Sequence, residues 1–188
     1  MISEPLSYVA AFIAMVLVCS SYFYGKKKTY LLLQAVGIVF LMCSYLFGGA
    51  YFAMIGMGVG LARTFTYYAY EKADKTAPVA LAVLFSALTL AAYFLVNFAL
   101  LKTAQTIDLA YLVSLILFAV FFRIRDLDRV RYLVLLPLAL AMIYAAFSGA
   151  AIFVFISYSF EFGASVVAII KYRGKGAENG QKTKEKKV

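Results

Sequence analysis

The sequence contains no histidine and no tryptophan, and its two cysteines, Cys19 and Cys43, lie in different apolar segments. The lack of histidine excludes a Ser-His-Asp triad and a His/Cys metal site, and the cysteines do not form a CxxC pair. We interpret both cysteines as small core residues. Since neither paired carboxylates nor a nucleophile–base set is evident, we predict no enzyme, no catalytic residues, no metal and no cofactor.

Charged residues are also scarce. They make up 14% of the chain, whereas 65% of the 188 residues are hydrophobic. A soluble domain is closer to half apolar and about a quarter charged, so this chain could not cover its own surface in water. The composition therefore predicts an integral membrane protein.

Charges and turn residues divide the apolar sequence into segments of membrane-spanning length, which is about 20 residues. The uncharged run Thr29–Ala62 would form a helix about 51 Å long, against a bilayer core of about 30 Å. It must therefore break, and Gly48-Gly49-Ala50 permits a tight turn there. Ser148-Gly149-Ala150 divides the uncharged run Tyr132–Phe160 in the same way. The predicted spans are 7–25, 29–47, 50–70, 78–101, 107–122, 132–147 and 150–171.

The positive charges indicate how these spans are oriented. Sixteen of the 18 lysines and arginines fall in one set of alternate loops and in the carboxyl-terminal tail. Lys102 is on the opposite side, and Arg63 is within a span. The positive-inside rule predicts an external amino terminus and a cytoplasmic carboxyl terminus. This distribution also explains the net charge of +9 without any nucleic acid.

The two proposed breaks coincide when the chain is shifted by 100 residues. Phe47-Gly48-Gly49-Ala50 then lies on Phe147-Ser148-Gly149-Ala150, and the order of elements matches on both sides. This predicts an all-α fold of two parallel three-helix repeats joined by a linker helix (3+1+3), as in SWEET-type transporters. The seven-helix domain is 1–171, with repeats at about 7–70 and 107–171 and the linker at about 78–101. A basic tail, 172–188, is expected to be disordered and cytoplasmic.

Two charged side chains lie within predicted spans, Arg63 in the third and Glu161 in the seventh. Each is costly in a bilayer, by about 2.5–3.5 kcal/mol at the helix centre, and needs a partner or water. They either line a central cavity that binds a polar substrate or a proton, or they form a structural salt bridge. In the shift of 100 residues Glu161 matches position 61, about 200° around the helix from Arg63. If that shift holds, both side chains cannot face the pseudo-axis.

Other polar residues within the spans are candidates for substrate binding or for pairing helices. They are Gln34, Tyr45, Asn97, Tyr144, Ser157 and Tyr158. Gly56-x-x-x-Gly60 has the spacing of close helix packing, and no strand precedes it as a nucleotide-binding loop would require.

Three segments of the chain resemble a known family. They are SYFYGKKKTYLLLQAVGIVFL, YFAMIGMGVGLARTFTYYAYEK and ISYSFEFGASVVAIIKY. They resemble the YgjV-type family of bacterial inner-membrane proteins, and the likeness includes Arg63 and Glu161. The resemblance implies a location and an architecture, with an outline similar to SWEET and PnuC-like transporters, but no particular activity.

Two functions fit these observations. The first is a secondary transporter or facilitator for a small polar metabolite, working by alternating access of the two repeats. The second is a membrane scaffold or regulatory subunit whose basic cytoplasmic face binds a partner or anionic lipid. The expected partners are the bilayer, anionic lipid and, for a transporter, a small polar substrate, whereas a homo-oligomer is left open.

Overall fold

The computed structural model describes residues 3–49, 51–100, 105–147 and 152–185. Within these ranges the chain is helical apart from short turns, and it contains no strand. The helices are α1 Ser3–Tyr22, α2 Lys27–Phe47, α3 Tyr51–Lys72, α4 Val79–Phe94, a π-helix Leu95–Leu100, α5 Asp108–Phe121, α6 Leu127–Leu133, α7 Leu135–Phe147 and α8 Ile152–Glu185.

Four helical segments are long and apolar enough to cross a membrane. They are Lys27–Phe47, Val79–Ala99, Leu127–Phe147 and Val154–Tyr172. Two shorter apolar helices, Pro5–Ser21 and Asp108–Phe121, accompany them. The remaining helix, α3, has 22 residues but is less apolar, because it contains three glycines, several tyrosines and Arg63. The chain is thus an all-helical membrane protein with seven helical segments in its described part.

The predicted break after the second span is confirmed. Helix α2 ends at Phe47, and α3 begins at Tyr51. Gly49 has φ of +75°, a left-handed conformation that glycine adopts without steric cost. The corresponding break Ser148-Gly149-Ala150 and the charge of Lys102 lie outside the described residues.

The sixth segment differs from the prediction, which placed residues 123–131 in a loop. Helix α6 already begins at Leu127, because the Asp126 side chain accepts hydrogen bonds from the backbone N–H groups of Asp128 (3.0 Å) and Arg129 (3.4 Å). Such a cap starts a helix by satisfying free donors of its first turn. The interruption at Val134 follows from Pro137, which has no N–H to donate to residue 133 and whose ring crowds that carbonyl.

The last helix also extends beyond its predicted end. Helix α8 continues to Glu185, whereas the sequence predicts a disordered tail from residue 172. Extending an existing helix adds one hydrogen bond for each residue fixed, so a helix anchored in the membrane can continue into polar sequence. The backbone of the basic segment is therefore continuous with the last spanning helix through Glu185.

The helices pack in a closed ring that follows the chain order. Helices α1 to α5 pack in chain order, each of α1, α2, α3 and α4 against its successor. Helix α5 then packs on α7, α7 on α8, and α8 returns to α1. Helix α3 also contacts α5 across the ring, and the short α6 contacts α8. The contacts α1–α8 and α3–α5 join the first three helices to the last three, so residues at these two junctions surround the centre of the molecule.

Helix boundaries in the two halves agree closely. Helix α2 spans Lys27–Phe47, and α6 with α7 spans Leu127–Phe147, an offset of 100 residues. Between α3 and α8 the buried positions of the described residues align at an offset of 101. Burial follows the same offsets. The buried matched pairs include Tyr22/Phe122, Tyr30/Val130, Leu31/Arg131, Ile38/Leu138, Met57/Tyr158, Gly60/Glu161 and Thr64/Ser165.

Close packing of α1 on α2 leads to a testable prediction at Gly37. A Cβ atom at this position would lie 2.4 Å from Cγ2 of Val18, whose branched side chain has little rotamer freedom. We expect Gly37→Ala to destabilise the protein by about 1–3 kcal/mol through overpacking, despite the better helix propensity of alanine. Thermal unfolding in detergent measures the effect.

Gly163→Ala is the matched control, because nothing lies within 4 Å of the added Cβ in α8. This variant should keep or slightly raise the melting temperature. Equal melting temperatures for the two variants would contradict the tight contact between α1 and α2.

A central cavity with two unpaired charges

A cavity of about 40 Å³ lies between α1, α2, α3, α5 and α8. It has room for about three water molecules. Its walls are largely apolar, and Gln34, Arg63, Tyr158 and Glu161 are its polar side chains. The lining residues are Val18, Gln34, Ile38, Leu41, Met57, Arg63, Leu115, Phe118, Phe122, Tyr158 and Glu161. Both halves of the chain contribute, so the predicted candidates Arg63, Glu161, Gln34 and Tyr158 meet at one site.

Glu161 is buried in α8, with 8% of its surface exposed. The hydroxyl of Tyr22 donates to its Oε1 atom at 2.9 Å, and Nε2 of Gln34 donates to the same oxygen at 3.4 Å. Gln34 also donates to the hydroxyl oxygen of Ser21 at 3.1 Å, which fixes the amide in this orientation. The acid is thus held by neutral donors from α1 and α2.

Arg63 is buried in α3, with 4% of its surface exposed. Its Nη1 atom donates to the carbonyl oxygen of Leu115 in α5 at 3.0 Å. The guanidinium carbon lies 5.7 Å from the ring centre of Phe118 and 5.2 Å from that of Phe122, distances at which the negative ring faces attract a cation. Its Nε atom is buried without a hydrogen-bond partner in the described structure. Arg63 is therefore also held by neutral groups.

No ion pair joins Arg63 and Glu161 in the described part of the chain, so the salt bridge that the sequence left open is not formed. Both side chains line the same cavity. The expectation that they cannot face one axis depended on a shift of 100 residues in this region and does not apply here. The reason is the offset of 101 residues between α3 and α8. Glu161 then corresponds to Gly60, three positions from Arg63 and only about 60° around the helix.

A cluster of aromatic side chains, which we name the tyrosine layer, borders the cavity on the side of the α2–α3 turn. The hydroxyls of Tyr45 in α2 and Tyr158 in α8 are 3.1 Å apart. Tyr111 and Tyr144 stack with ring centres 4.5 Å apart, and the Tyr45 and Phe52 rings lie at 6.4 and 5.8 Å from Tyr111. The predicted residues Tyr45, Tyr144 and Tyr158 are thus brought together in this layer.

A second aromatic layer, formed by Tyr22, Tyr30, Phe118 and Phe122, lies on the side of the α1–α2 turn. The ring of Tyr30 meets that of Tyr22 edge-on at 5.3 Å and that of Phe122 at 5.8 Å. Phe118 and Phe122 pack edge-on at 5.4 Å. Tyr22, Tyr30 and Phe122 have at most 2% of their surface exposed. The charged side chains of the cavity are therefore enclosed between two layers of rings.

The remaining candidates lie away from the cavity lining. Ser157 donates to the carbonyl oxygen of Ala11 at 3.3 Å and so links α8 to α1. Asn97 is buried in the π-helix. Gly56 lets α3 approach α5, since an added Cβ would lie 2.7 Å from Cδ1 of Leu115, whereas Gly60 faces the guanidinium of Arg63 in its own helix. Gly56 thus lies at the close contact with α5, whereas a Cβ at Gly60 would meet Nη2 of Arg63 at 3.5 Å, an ordinary van der Waals distance.

A buried arginine that the sequence analysis did not single out joins the two halves near the second aromatic layer. Arg131 in α6 has 1% of its surface exposed. Its Nη2 atom donates to the carbonyl oxygens of Tyr22 (2.9 Å) and Tyr24 (2.7 Å), and Nη1 pairs with Asp128 at 2.6 Å. The guanidinium carbon lies 4.1 Å from the ring centre of Tyr172. We name this arrangement the arginine latch.

Further polar contacts on the same side join α3 and its following loop to other elements. Lys27 pairs with Glu71 at 3.5 Å, Arg123 donates to the carbonyl oxygen of Ala77 at 2.9 Å, and Arg125 pairs with Asp74. The last of these pairs is largely exposed and contributes little. Arg131 differs from its neighbours because it is fully buried.

The sequence carried only weak signals for these additional residues. Arg131 lies three positions after Asp128, a spacing for a helical ion pair, but both fell in a segment predicted as a loop. Tyr22 precedes and Tyr30 follows the Lys26–Lys28 cluster, a placement that resembles an interfacial aromatic belt. Among the described residues, no three Cys, Asp or Glu side chains are close enough to hold a metal ion.

Comparison with known proteins gives a family for this chain. A family model described as a bacterial inner membrane protein, Imp-YgjV, matches residues 6–175. No curated protein and no solved structure matches the chain. The family match covers nearly all of the helical domain and confirms the resemblance inferred from the sequence. The chain belongs to the Imp-YgjV family of bacterial inner membrane proteins.

Proposed function

We propose that this protein is a small secondary transporter or facilitator that moves a polar metabolite across the inner membrane. The observation that carries the proposal is the central cavity, in which Arg63 and Glu161 are buried without pairing to each other. Ionisable side chains inside a membrane domain mark substrate or ion pathways more often than they serve stability, because their burial is costly. The cavity also lies between helices of both halves, where repeat-built transporters bind substrate.

Two parallel three-helix repeats, joined by α4, form the moving parts in this proposal. The matched helix boundaries and buried faces of the two halves support it. The packing also supports it, because α2 packs between α1 and α3 in the first half just as α7 packs between α5 and α8 in the second. In this correspondence α1 matches α5 and α3 matches α8. A pseudo-twofold axis that exchanges the halves therefore turns the contact α1–α8 into the contact α5–α3. The cavity lies between these two junctions.

The proposed orientation places the tyrosine layer outside and the second aromatic layer in the cytoplasm. It rests on the distribution of Lys and Arg, which predicts cytoplasmic turns at α1–α2, α3–α4 and α5–α6. The arginine latch then lies on the cytoplasmic side. The protein would span the membrane seven times, with its amino terminus outside.

Alternating access would open one aromatic layer at a time. Opening the outer side separates Tyr45 of the first repeat from Tyr158 of the second, which are joined by a single hydroxyl contact. Opening the inner side separates Tyr22 from Glu161 and from Arg131. Arg63 and Glu161 are 4% and 8% exposed in this structure, so we assign it to a state of the proposed cycle in which the charged side chains are buried.

A thermal-shift screen followed by uptake measurements tests the proposal. The detergent-purified protein is screened against sugars, nucleosides, vitamins and amino acids, since a ligand that binds the folded state raises its melting temperature. Compounds that raise it are then offered, radiolabelled, to proteoliposomes. We expect at least one of them to enter proteoliposomes faster than protein-free liposomes. A panel in which no compound stabilises the protein or enters would contradict a transport function.

A scaffold or regulatory role is the second candidate, favoured by the continuation of α8 as a helix into the basic segment that ends near residue 185. Such a helix could bind anionic lipid or a partner on the cytoplasmic side. Deleting residues 174–188 distinguishes the two functions. Uptake that persists at the full-length rate supports the transporter, whereas a lost cellular phenotype with no uptake by either form supports the scaffold. Neither candidate involves an enzymatic reaction or nucleic acid.

A further inference from the structure

Building on the proposed transport function, we infer that the substrate class is a small zwitterion that carries one carboxylate and one protonated amine. The carboxylate would bind Arg63, and the amine would bind Glu161. Short amino acids have this chemistry.

The first argument is the charge pattern of the cavity. Arg63 and Glu161 line the same 40 Å³ space, come from opposite halves of the chain and are not joined by an ion pair. A ligand with a single negative charge would satisfy Arg63 and leave the acid beside a like charge. A ligand with a single positive charge would satisfy Glu161 and leave Arg63 beside a like charge. A ligand with both charges gives each end a partner of opposite charge, which matters because a buried charge left without a partner is costly.

The second argument is that each charged group retains capacity for a ligand. Arg63 donates one hydrogen bond to a neutral carbonyl and has a buried Nε atom without a partner, so N–H groups remain for a carboxylate. Both hydrogen bonds to Glu161 reach the same oxygen, Oε1. A carboxylate accepts at both oxygens, so Oε2 can accept from an ammonium group.

The third argument concerns what surrounds the charged ends. Val18, Ile38, Leu41, Met57 and Leu115 form an apolar wall. Gln34 is the one polar wall residue besides the two charges and Tyr158, and its amide is already engaged with Ser21 and Glu161. A sugar or nucleoside, with hydroxyl groups on every side, would leave most of them without a partner against this wall. A short aliphatic chain between two charged ends leaves no such group unpaired, and the cavity, which has room for about three water molecules, must widen to admit it.

The test measures binding of matched ligands to the full-length, detergent-purified protein by isothermal titration calorimetry. The zwitterions are L-alanine, β-alanine and γ-aminobutyrate, which separate the two charges by increasing distances. Each is compared with its single-charge analogues: propionate and L-alaninamide for alanine, propionate and propylamine for β-alanine, butyrate and butylamine for γ-aminobutyrate. We expect at least one zwitterion to bind about tenfold more tightly than either of its analogues.

Two conservative variants assign the ends of the ligand. In Glu161→Gln the preference for the zwitterion over its carboxylate-only analogue should largely disappear, while that analogue still binds. In Arg63→Gln the preference for the zwitterion over its amine-only analogue should largely disappear, while the amine-only analogue still binds. Arg129→Gln, which removes an exposed arginine outside the cavity, is the matched control and should bind like the wild type.

The outcomes separate this inference from the proposed function. If a single-charge analogue binds the wild type as tightly as its zwitterion, the zwitterion assignment is overturned. The zwitterion assignment is also overturned if only a sugar or nucleoside binds and is transported. In that case the transport function stands. If no compound of either panel binds or enters proteoliposomes, both the inference and the transport function are overturned. The comparison within the wild type remains decisive even if a variant fails to fold.

Discussion

Arg131→Ala is expected to lower the stability of the protein by about 3 kcal/mol or more, because it leaves the carbonyl groups of Tyr22 and Tyr24 without their donor. It also removes a fully buried side chain from beneath the Tyr172 ring and leaves a void in its place. For a chain of this length the loss corresponds to a fall of about 10 °C in melting temperature. Thermal unfolding in detergent measures it directly.

Two further variants separate the geometry of the latch from its charge. Arg131→Lys should remain strongly destabilised, because one ammonium group cannot reproduce the planar fork that reaches two carbonyls and Asp128. Arg129→Gln removes an arginine two residues away whose side chain is 77% exposed, and should change the melting temperature little. A melting temperature for Arg131→Ala that matches that of Arg129→Gln would show that the latch does not stabilise the fold.

Arg63→Gln and Glu161→Gln are each expected to reduce uptake by about 100-fold, which corresponds to a loss of about 2.7 kcal/mol of interaction with the transported molecule. Glutamine matches glutamate in size, so Glu161→Gln removes the charge and keeps the wall filled. It is smaller than arginine, so Arg63→Gln removes the charge and slightly enlarges the cavity. The measurement is the initial rate of uptake into proteoliposomes, at equal protein incorporation, of the compound that the thermal-shift screen identifies.

The folding of these variants is checked by gel filtration and by their own melting temperatures. Glu71→Gln is the control for the acid, since Glu71 pairs with Lys27 outside the cavity lining, and it should retain uptake within about threefold of the wild type. Folded Arg63→Gln and Glu161→Gln proteins that still transport at the wild-type rate would exclude this cavity as the substrate site.

The sequence alone determined the membrane character of the protein and the approximate positions of its helices. These follow from composition and from the length of apolar runs, because a bilayer of fixed thickness requires helices of about 20 apolar residues. The turn after Phe47 could be placed because glycine permits a left-handed conformation there. Among the described residues, the helix boundaries differ from the prediction in the segment Leu127–Leu133 and at the end of α8. Helix caps and helix propagation decide these boundaries, and hydropathy does not register them.

Only the tertiary structure decided which polar residues meet. Whether Arg63 and Glu161 share a cavity depends on the rotation of α3 relative to α8, and an error of one residue in the alignment of the halves rotates a side chain by about 100°. An apolar sequence with few markers does not fix that alignment to one residue. Arg131 shows the same limit, since its burial depends on the docking of α6 against the α1–α2 turn. Distance along the chain carries no information about such contacts, because helices far apart in sequence become neighbours only when they pack.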